Sequence, residues 1–169
     1  MQKNKFNPAS IDAEVIKLDI YQTNSPVAVI DCLNLTSVKS GGHRILLVDD
    51  EDLLREVIKE IFEKAGYDVD EATNGRTALK MIREYDYDCV VSDIRMPGGD
   101  GFELVQNIFK MTGKIPKIFM ITGFSEVTPA KALELGIECI FEKPFEMRKL
   151  LKAIEDVVAT LTTPLTTSA

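Results

Sequence analysis

The sequence is poor in the residues that bind zinc or form disulfides. It contains one histidine, His43, and three cysteines, Cys32, Cys89 and Cys139, which lie far apart. An odd number of widely spaced cysteines favours neither a disulfide framework nor a zinc cluster. The single histidine excludes a histidine-rich metal site. Cys89 and Cys139 lie inside apolar runs, so we expect both to be small buried side chains.

Long apolar segments and basic clusters are also missing. No apolar run approaches the roughly 20 residues that a membrane-spanning helix needs, and residues 1–10 are polar and lack a signal-peptide core. These absences predict a cytoplasmic protein without membrane contact. Residues 1–42 contain equal numbers of lysines and acids, so the whole net charge of −7 lies in residues 43–169. A nucleic-acid surface normally shows a basic patch, so we expect no nucleic-acid partner.

The chain divides at a short linker. Its 169 residues suit one domain with a modest appendage, and Ser40–Gly42 is the clearest break. Ahead of it, Val15–Tyr21 and Val27–Leu35 have strand-like patterns around a turn-like segment, which predicts a β-hairpin. A lone hairpin is marginally stable in water. We therefore expect this extension, residues 1–42, to pack on the rest of the chain or on another subunit. We favour a role in docking or in homodimer formation, while a cover over the surface of the main domain and the remnant of a larger domain stay open.

From Arg44 onward, short apolar runs alternate with helical patterns. The runs predict strands at Ile45–Val48, Asp68–Ala72, Cys89–Val91, Lys117–Ile121 and Glu138–Phe141. Apolar residues three and four apart predict helices at Leu53–Phe62, Arg76–Glu84, Phe102–Met111, Thr128–Leu135 and Phe145–Leu161. This strict alternation predicts an α/β domain over residues 43–162, with a doubly wound parallel sheet of five strands and five helices. The Thr/Ser-rich tail, residues 163–169, is expected to fray.

Acidic residues follow two of the predicted strands, at the sheet edge where open α/β folds bind ligands. Asp49 and Asp50 follow the first strand, and Asp93 ends the third. Taken singly, they are explained equally well as helix N-caps or loop acids. Neighbouring first and third strands would bring all three together, where their charges repel. A hard divalent cation such as Mg²⁺ removes that repulsion.

The fourth and fifth strands add a hydroxyl and an ammonium group at the same edge. Thr122 follows the fourth strand, and Lys143 follows the fifth. Acids, metal, hydroxyl and lysine together form a phosphoryl-transfer site. In such a site an aspartate is the nucleophile, while the metal and the lysine neutralise phosphoryl oxygens and the hydroxyl donates to one of them.

The chain resembles the receiver domains of two-component response regulators. The matching segments follow the family's order over residues 44–160 and are Ile45–Asp50, Ser92–Pro97, Asp100–Gly101, Met120–Gly123 and Glu142–Phe145. The resemblance implies a flavodoxin-like receiver fold. It also implies a phosphoprotein of a phosphorelay, which accepts a phosphoryl group from a histidine kinase or phosphotransfer protein and switches its contacts with a downstream protein. Such a domain catalyses its own phosphorylation and dephosphorylation without being a metabolic enzyme.

The resemblance also implies roles for individual residues. Asp93 would be the phosphoacceptor, and Asp50 would bind Mg²⁺ directly while Asp49 acts mainly through water. The backbone carbonyl of Arg95 would supply a further metal ligand. Thr122 and Lys143 would contact the phosphoryl group.

Two features near Lys143 add geometric expectations. The Lys143–Pro144 peptide bond is expected to be cis, a minority form of X-Pro bonds. The family often has an aromatic residue three positions before this lysine, and Ile140 stands there. Phe141 is adjacent, but strand alternation directs it to the opposite face. We therefore expect Thr122 to act on the surface through a different packing change.

Two other functions are compatible with parts of this pattern. A phosphatase of the haloacid dehalogenase type needs an acid two residues after its nucleophile, and Arg95 stands there, which disfavours it. A degenerate receiver that docks partners without phosphorylation stays open. About nine residues follow the last predicted helix, so we expect no C-terminal effector domain and an output through protein contacts.

Overall fold

The computed structural model describes residues 42–123 and 129–162. The hairpin predicted between Val15 and Leu35 and the tail at residues 163–169 lie outside the described residues. No helix in the two described ranges is both long enough and apolar enough to span a bilayer.

Strands and helices alternate along the described chain. The strands are β1 (Arg44–Val48), β2 (Asp68–Ala72), β3 (Cys89–Asp93), β4 (Lys117–Thr122) and β5 (Ile137–Glu142). The helices are α1 (Asp52–Lys64), α2 (Gly75–Glu84), α3 (Gly101–Ile108), α4 (Pro129–Glu134) and α5 (Met147–Thr162). All pairings are parallel, in the order β2-β1-β3-β4-β5. The doubly wound α/β prediction is confirmed.

Helix α3 is shorter than the sequence predicts. It ends at Ile108 instead of Met111, because the amides of Lys110 and Met111 donate to carbonyls three residues back, at 3.2 and 3.0 Å. Such tighter bonds satisfy the last carbonyls of a helix while ending its α-geometry. The apolar spacing that predicted the longer helix continues through this turn.

The sheet is buried on both faces. Ile45 and Leu47 of β1 face a cluster with α1 and α5, whereas Leu46 and Val48 face a cluster with α2 and α3. All four side chains have no exposed surface, which explains why β1 is a continuous apolar run instead of an alternating one.

The outer strand β5 is more exposed than β3. Ile140 packs against the α2–α3 cluster and Phe141 against the α1–α5 cluster, so the predicted opposition of these two side chains is confirmed. Cys89 in β3 is buried, and burial raises the pKa of its thiol to about 12. Cys139 packs against the α1–α5 cluster but is only partly buried, so the predicted burial is incomplete there, because β5 lies at the edge of the sheet.

Pairing between strands aligns their carboxyl ends. Val48 is level with Ser92, Asp93 with Ile121, and Thr122 with Glu142. The segments that follow β1, β3, β4 and β5 therefore start from one edge of the sheet. This alignment places the predicted site residues near one another although they are far apart in sequence.

Candidate functional site

Three aspartates meet at the carboxyl edge of the sheet. One carboxylate oxygen from each of Asp49, Asp50 and Asp93 lies within 4.8 Å of the other two. Asp49 and Asp93 are buried, with 1% and 8% of their surfaces exposed, while Asp50 is open to solvent. The cluster therefore has a closed inner side and an open outer side, through which a ligand can approach Asp50.

Lys143 joins two of these acids. Its ammonium Nζ donates to Oδ2 of Asp93 at 2.9 Å and to Oδ2 of Asp49 at 3.2 Å. Burial by itself lowers the pKa of Lys143, but the hydrogen bond to Asp93 and the two negative charges outweigh it, so the pKa lies above its ordinary value. The group therefore stays a cation at neutral pH and can offer charge to an incoming anion.

The segment after β5 fixes the position of this lysine. The backbone N–H of Lys143 donates to the carbonyl of Thr122 at 2.6 Å, which ties the ends of β4 and β5 together. The Lys143–Pro144 peptide bond is cis, as expected. Thr122 is buried, with 3% of its surface exposed. A displacement of the Thr122 backbone would therefore move the backbone of Lys143 through this hydrogen bond.

Asp49 is the least solvated of the three acids. Burial raises the pKa of its carboxyl group, the N–H of Glu51 and the charge of Lys143 lower it, and the charge of Asp93 raises it again, so the net shift is upward. The N–H of Glu51 donates to Oδ1 of Asp49 at 2.8 Å. A buried carboxyl group beside two other acids favours a nearby cation, because a cation stabilises its ionised form.

The carboxylate of Asp93 is held at both oxygens. Oδ1 accepts from the N–H of Ile94 at 2.6 Å, and Oδ2 accepts from Lys143. The N–H of Arg95 lies 3.4 Å from Oδ1, and the Arg95 side chain is exposed. The backbone carbonyl of Asp93 accepts from the buried hydroxyl of Ser92 at 2.8 Å. Asp93 therefore has a fixed orientation at the floor of the site.

A glycine lets α3 approach the backbone of Asp93. The N–H of Gly101 donates to the carbonyl of Ile94 at 2.8 Å. A Cβ atom at Gly101 would lie 2.3 Å from the carbonyl oxygen of Asp93 and 2.6 Å from Cε of Met120. Any side chain at this position would push against the backbone of Asp93.

Two contacts were missed by the sequence reasoning. The guanidinium of Arg55 donates to the backbone carbonyl of Asp49 at 2.8 Å, and the hydroxyl of Ser92 donates to the backbone carbonyl of Asp93. The only signal in the sequence for the contact of Arg55 was its place as a basic residue about one helical turn after Asp49 and Asp50. Ser92 sits in an otherwise apolar run, which marks it as a polar group that needs a buried partner.

The donor set fits a hard divalent cation. Carboxylate oxygens are preferred ligands of Mg²⁺, which also keeps several waters, and exposed Asp50 leaves room for them. When the three aspartates are ionised, they exceed the charge of Lys143 by two negative charges. A divalent cation offsets that excess.

Comparison with known proteins gives one family. The family model of the response regulator receiver domain matches residues 45–155. Chemotaxis protein CheY of Halobacterium salinarum is 36% identical over 115 residues, which cover 68% of this chain and 96% of that protein. Aerobic respiration control protein ArcA of Escherichia coli is 37% identical over 106 residues, which cover 63% of this chain and 44% of ArcA. The chain thus spans less than half the length of that relative.

Solved structures agree with this comparison. The structure of response regulator protein TrrA from Thermotoga maritima, in complex with Mg(2+)-BeF, has a TM-score of 0.61 at 35% identity and covers 68% of this chain and 98% of its own. A putative response regulator from Chloroflexus aurantiacus has a TM-score of 0.64 at 29% identity, covering 70% and 98%. Sequence and fold lead to the same assignment. The chain belongs to the response regulator receiver family.

Proposed function

We propose that this chain is a phosphorylation-dependent switch of a two-component system, with Asp93 as the phosphoacceptor. The observation that carries the proposal is the cluster of Asp49, Asp50 and Asp93 with Lys143 bound between two of them. A buried nucleophile, an excess of acids that a cation can offset and a fixed ammonium are the parts that phosphoryl transfer to a carboxylate needs.

The donor is the phosphohistidine of a histidine kinase or phosphotransfer protein. A carboxylate oxygen of Asp93 attacks the phosphorus, the P–N bond breaks, and its electron pair returns to the imidazole. The product is an acyl phosphate on Asp93, and attack by water later releases inorganic phosphate. Lys143, which lies 2.9 Å from Asp93, pairs with a phosphoryl oxygen. The hydroxyl of Thr122 donates to another oxygen.

Magnesium supplies charge neutralisation at the phosphoryl group when it is bound. Asp50, Asp93 and the backbone carbonyl of Arg95 would hold it directly, and Asp49 would act mainly through water. The presence of Mg(2+)-BeF in the TrrA structure supports this assignment by analogy.

The output is a change in protein contacts. Movement of Thr122 toward the phosphoryl group acts on Lys143 through their shared backbone hydrogen bond, and on the surface around β5. Ile140, which packs on the α2–α3 side, stands where the family often has an aromatic residue, so Thr122 acts on the surface through a different packing change. The partner is a downstream protein or a second copy of the chain, with residues 1–42 assisting in docking. We place this switch in the cytoplasm.

Acetyl phosphate tests the proposal. Incubation of the full chain with Mg²⁺ and acetyl phosphate is expected to add one phosphoryl group by intact mass, and Asp93→Asn is expected to abolish the addition. Asp86→Asn is a matched control, because Asp86 is an exposed aspartate in the loop that precedes β3, at the opposite end of the sheet. Chelation of Mg²⁺ by EDTA should also prevent the reaction.

The same experiment separates the alternative function. A chain that gains no mass with Mg²⁺ and acetyl phosphate, while its melting curve shows a folded protein, contradicts phosphoryl acceptance. That result would favour a degenerate receiver that docks partners without phosphorylation.

A further inference from the structure

Arg55 lies in the first part of α1, next to the loop that carries Asp49 and Asp50. Its side chain is 12% exposed. The guanidinium makes three hydrogen bonds to three different parts of the chain. Nη1 donates to the backbone carbonyl of Asp49 at 2.8 Å, Nη2 to Oδ1 of Asp52 at 2.7 Å, and Nε to Oε1 of Glu71 at 3.2 Å.

These bonds tie the acid-bearing loop to strand β2. Glu71 lies in β2, where it is level with Leu47 of β1. The N–H of Asp49 donates to the carbonyl of Ala72 in the same strand at 3.2 Å. The residue Asp49 is therefore held at its N–H by β2 directly, and at its carbonyl by Arg55, which is itself anchored to β2 through Glu71.

The loop that carries the acids is also bonded to the start of α1. Its N-cap residue, Glu51, makes no side-chain capping bond. The N–H of Glu51 instead donates to the side chain of Asp49. One carboxylate of the proposed metal site thus satisfies the N–H of the N-cap residue, so Asp49 joins the start of α1 to the backbone that Arg55 holds.

We infer that Arg55 is a positioning residue of the metal site: its guanidinium fixes the peptide between Asp49 and Asp50 so that both carboxylates face Asp93 before the cation arrives. This inference rests on the proposed function, because it takes Mg²⁺ as the ligand. A planar fork of donors serves three acceptors in fixed directions, whereas the ammonium of lysine is a point charge on a flexible stem.

A positioning role and a purely electrostatic role of Arg55 predict opposite changes in Mg²⁺ affinity when its side chain is removed. If Arg55 acted only through its charge, its removal would strengthen the binding of a cation, because one positive charge near the acids is lost. If Arg55 acts by positioning, its removal weakens the binding of the cation, because the loop that carries Asp49 and Asp50 loses its anchor and must be ordered when the cation binds. Removal of groups that orient metal ligands typically costs about 10–100-fold in affinity.

The test is a calorimetric titration of the full chain with MgCl₂. Arg55→Ala is expected to raise the dissociation constant of Mg²⁺ roughly tenfold, and Arg55→Lys is expected to weaken binding as well, although it keeps the charge. Lys59→Ala is the matched control. Lys59 lies one turn further along α1 and pairs with the other carboxylate oxygen of Glu71, at 2.5 Å. Its loss should leave Mg²⁺ affinity within about twofold of the native value.

Two further measurements separate positioning from general loss of structure. In acetyl phosphate reactions, Arg55→Ala should raise the half-saturating Mg²⁺ concentration roughly tenfold, while the rate at saturating Mg²⁺ stays close to that of the native chain. In the metal-free protein, the amide of Glu51 should exchange its hydrogen faster in Arg55→Ala than in Lys59→Ala. If Arg55→Ala does not fold, Arg55→Lys replaces it in the measurements of the half-saturating Mg²⁺ concentration and of amide exchange at Glu51.

The possible results lead to different conclusions. Native-like or tighter Mg²⁺ binding in both Arg55 variants overturns the positioning role, and so does a lower melting temperature with unchanged Mg²⁺ affinity. A native chain that is phosphorylated and binds Mg²⁺ preserves the proposed function in either case. A native chain that neither binds Mg²⁺ nor accepts phosphate overturns the proposed function and this inference together.

Discussion

Asp93 is fixed by contacts on each side of its carboxylate and on its own backbone. Ile94 and Lys143 each hold one oxygen, and Ser92 holds its carbonyl. For the proposed phosphoacceptor, this fixed orientation lowers the reorganisation that is needed before attack. The buried pair between Lys143 and Asp93 is more useful here as an orienting contact than as a source of stability, because burial of two charges has its own cost.

Gly101 gives a prediction at the residue scale. Gly101→Ala places a methyl group against the carbonyl of Asp93 and Cε of Met120, so backbone or side chain must move. We expect a loss of about 2 kcal/mol in the free energy of unfolding, together with slower phosphorylation of Asp93. Urea unfolding and the acetyl phosphate assay measure the two effects.

The control for this substitution is Gly123→Ala. A Cβ atom there meets nothing within 4 Å, so the free energy of unfolding should change little. Equal stability of the Gly101→Ala and Gly123→Ala variants would contradict the close packing of α3 on Asp93.

The strands are joined at their amino ends by a second polar cluster, opposite the site. Asp88 immediately precedes β3. Its Oδ2 accepts from Nδ1 of His43 at 3.1 Å and from the N–H of Arg44 at 3.0 Å, and its Oδ1 accepts from Lys114 at 2.7 Å. These bonds connect the starts of β1 and β3 with the segment that leads into β4. The strands that carry the site at their carboxyl ends are therefore also connected to one another at their amino ends.

The pH dependence of stability tests this cluster. Burial raises the pKa of Asp88, but Lys114, the N–H of Arg44 and His43 outweigh it, so the pKa lies below its ordinary value. A lowered carboxyl pKa gives stability that is fully present above the unfolded-state value, about 3.9, and is lost as the pH falls through the lowered value. Asp88→Asn should therefore cost about 1–2 kcal/mol of unfolding free energy at pH 7.

The difference between the native chain and Asp88→Asn should shrink as the pH falls below about 4. Urea unfolding at pH 7 and at pH 3 measures it, with Asp86→Asn as an exposed control. A difference that is the same at both values of pH would show that the ionised carboxylate of Asp88 is not the source of the stabilisation.

Element by element, the sequence predicted more of the sheet than of the loops. Continuous apolar runs such as Ile45–Val48 mark strands buried on two faces, and strand ends placed Asp93 and Lys143 at one edge. The role of Arg55 could not be predicted in this way. An arginine on an amphipathic helix is normally assigned to solvent, and its contact with Glu71 depends on how close α1 lies to β2, which no local pattern specifies.

At the scale of the whole molecule, the excess of acidic over basic side chains favours the binding of cations. The chain has a formal net charge of −7, and three of its acids share one small volume. Their mutual repulsion destabilises the metal-free fold, whereas an ion that binds only the folded chain stabilises it by mass action. Folding and metal binding are therefore coupled in this account.

Removal of magnesium is the corresponding prediction. A concentration of Mg²⁺ that exceeds its dissociation constant a hundredfold should raise the free energy of unfolding by about 2.7 kcal/mol. Addition of EDTA should reverse the gain, and Asp50→Asn should reduce it strongly because Asp50 is the exposed acid of the cluster and a proposed Mg²⁺ ligand. Thermal unfolding followed by circular dichroism, with and without Mg²⁺, is the measurement. An equal gain in the Asp50→Asn variant would place the stabilising ion elsewhere.

The most direct test of the account is to locate the phosphoryl group. Borohydride reduces an aspartyl phosphate to homoserine, so the protein treated with Mg²⁺ and acetyl phosphate can be reduced, digested and sequenced by mass spectrometry. The account predicts homoserine at position 93 and nowhere else. Modification at another aspartate, or none in a chain that is folded and supplied with Mg²⁺, would contradict it.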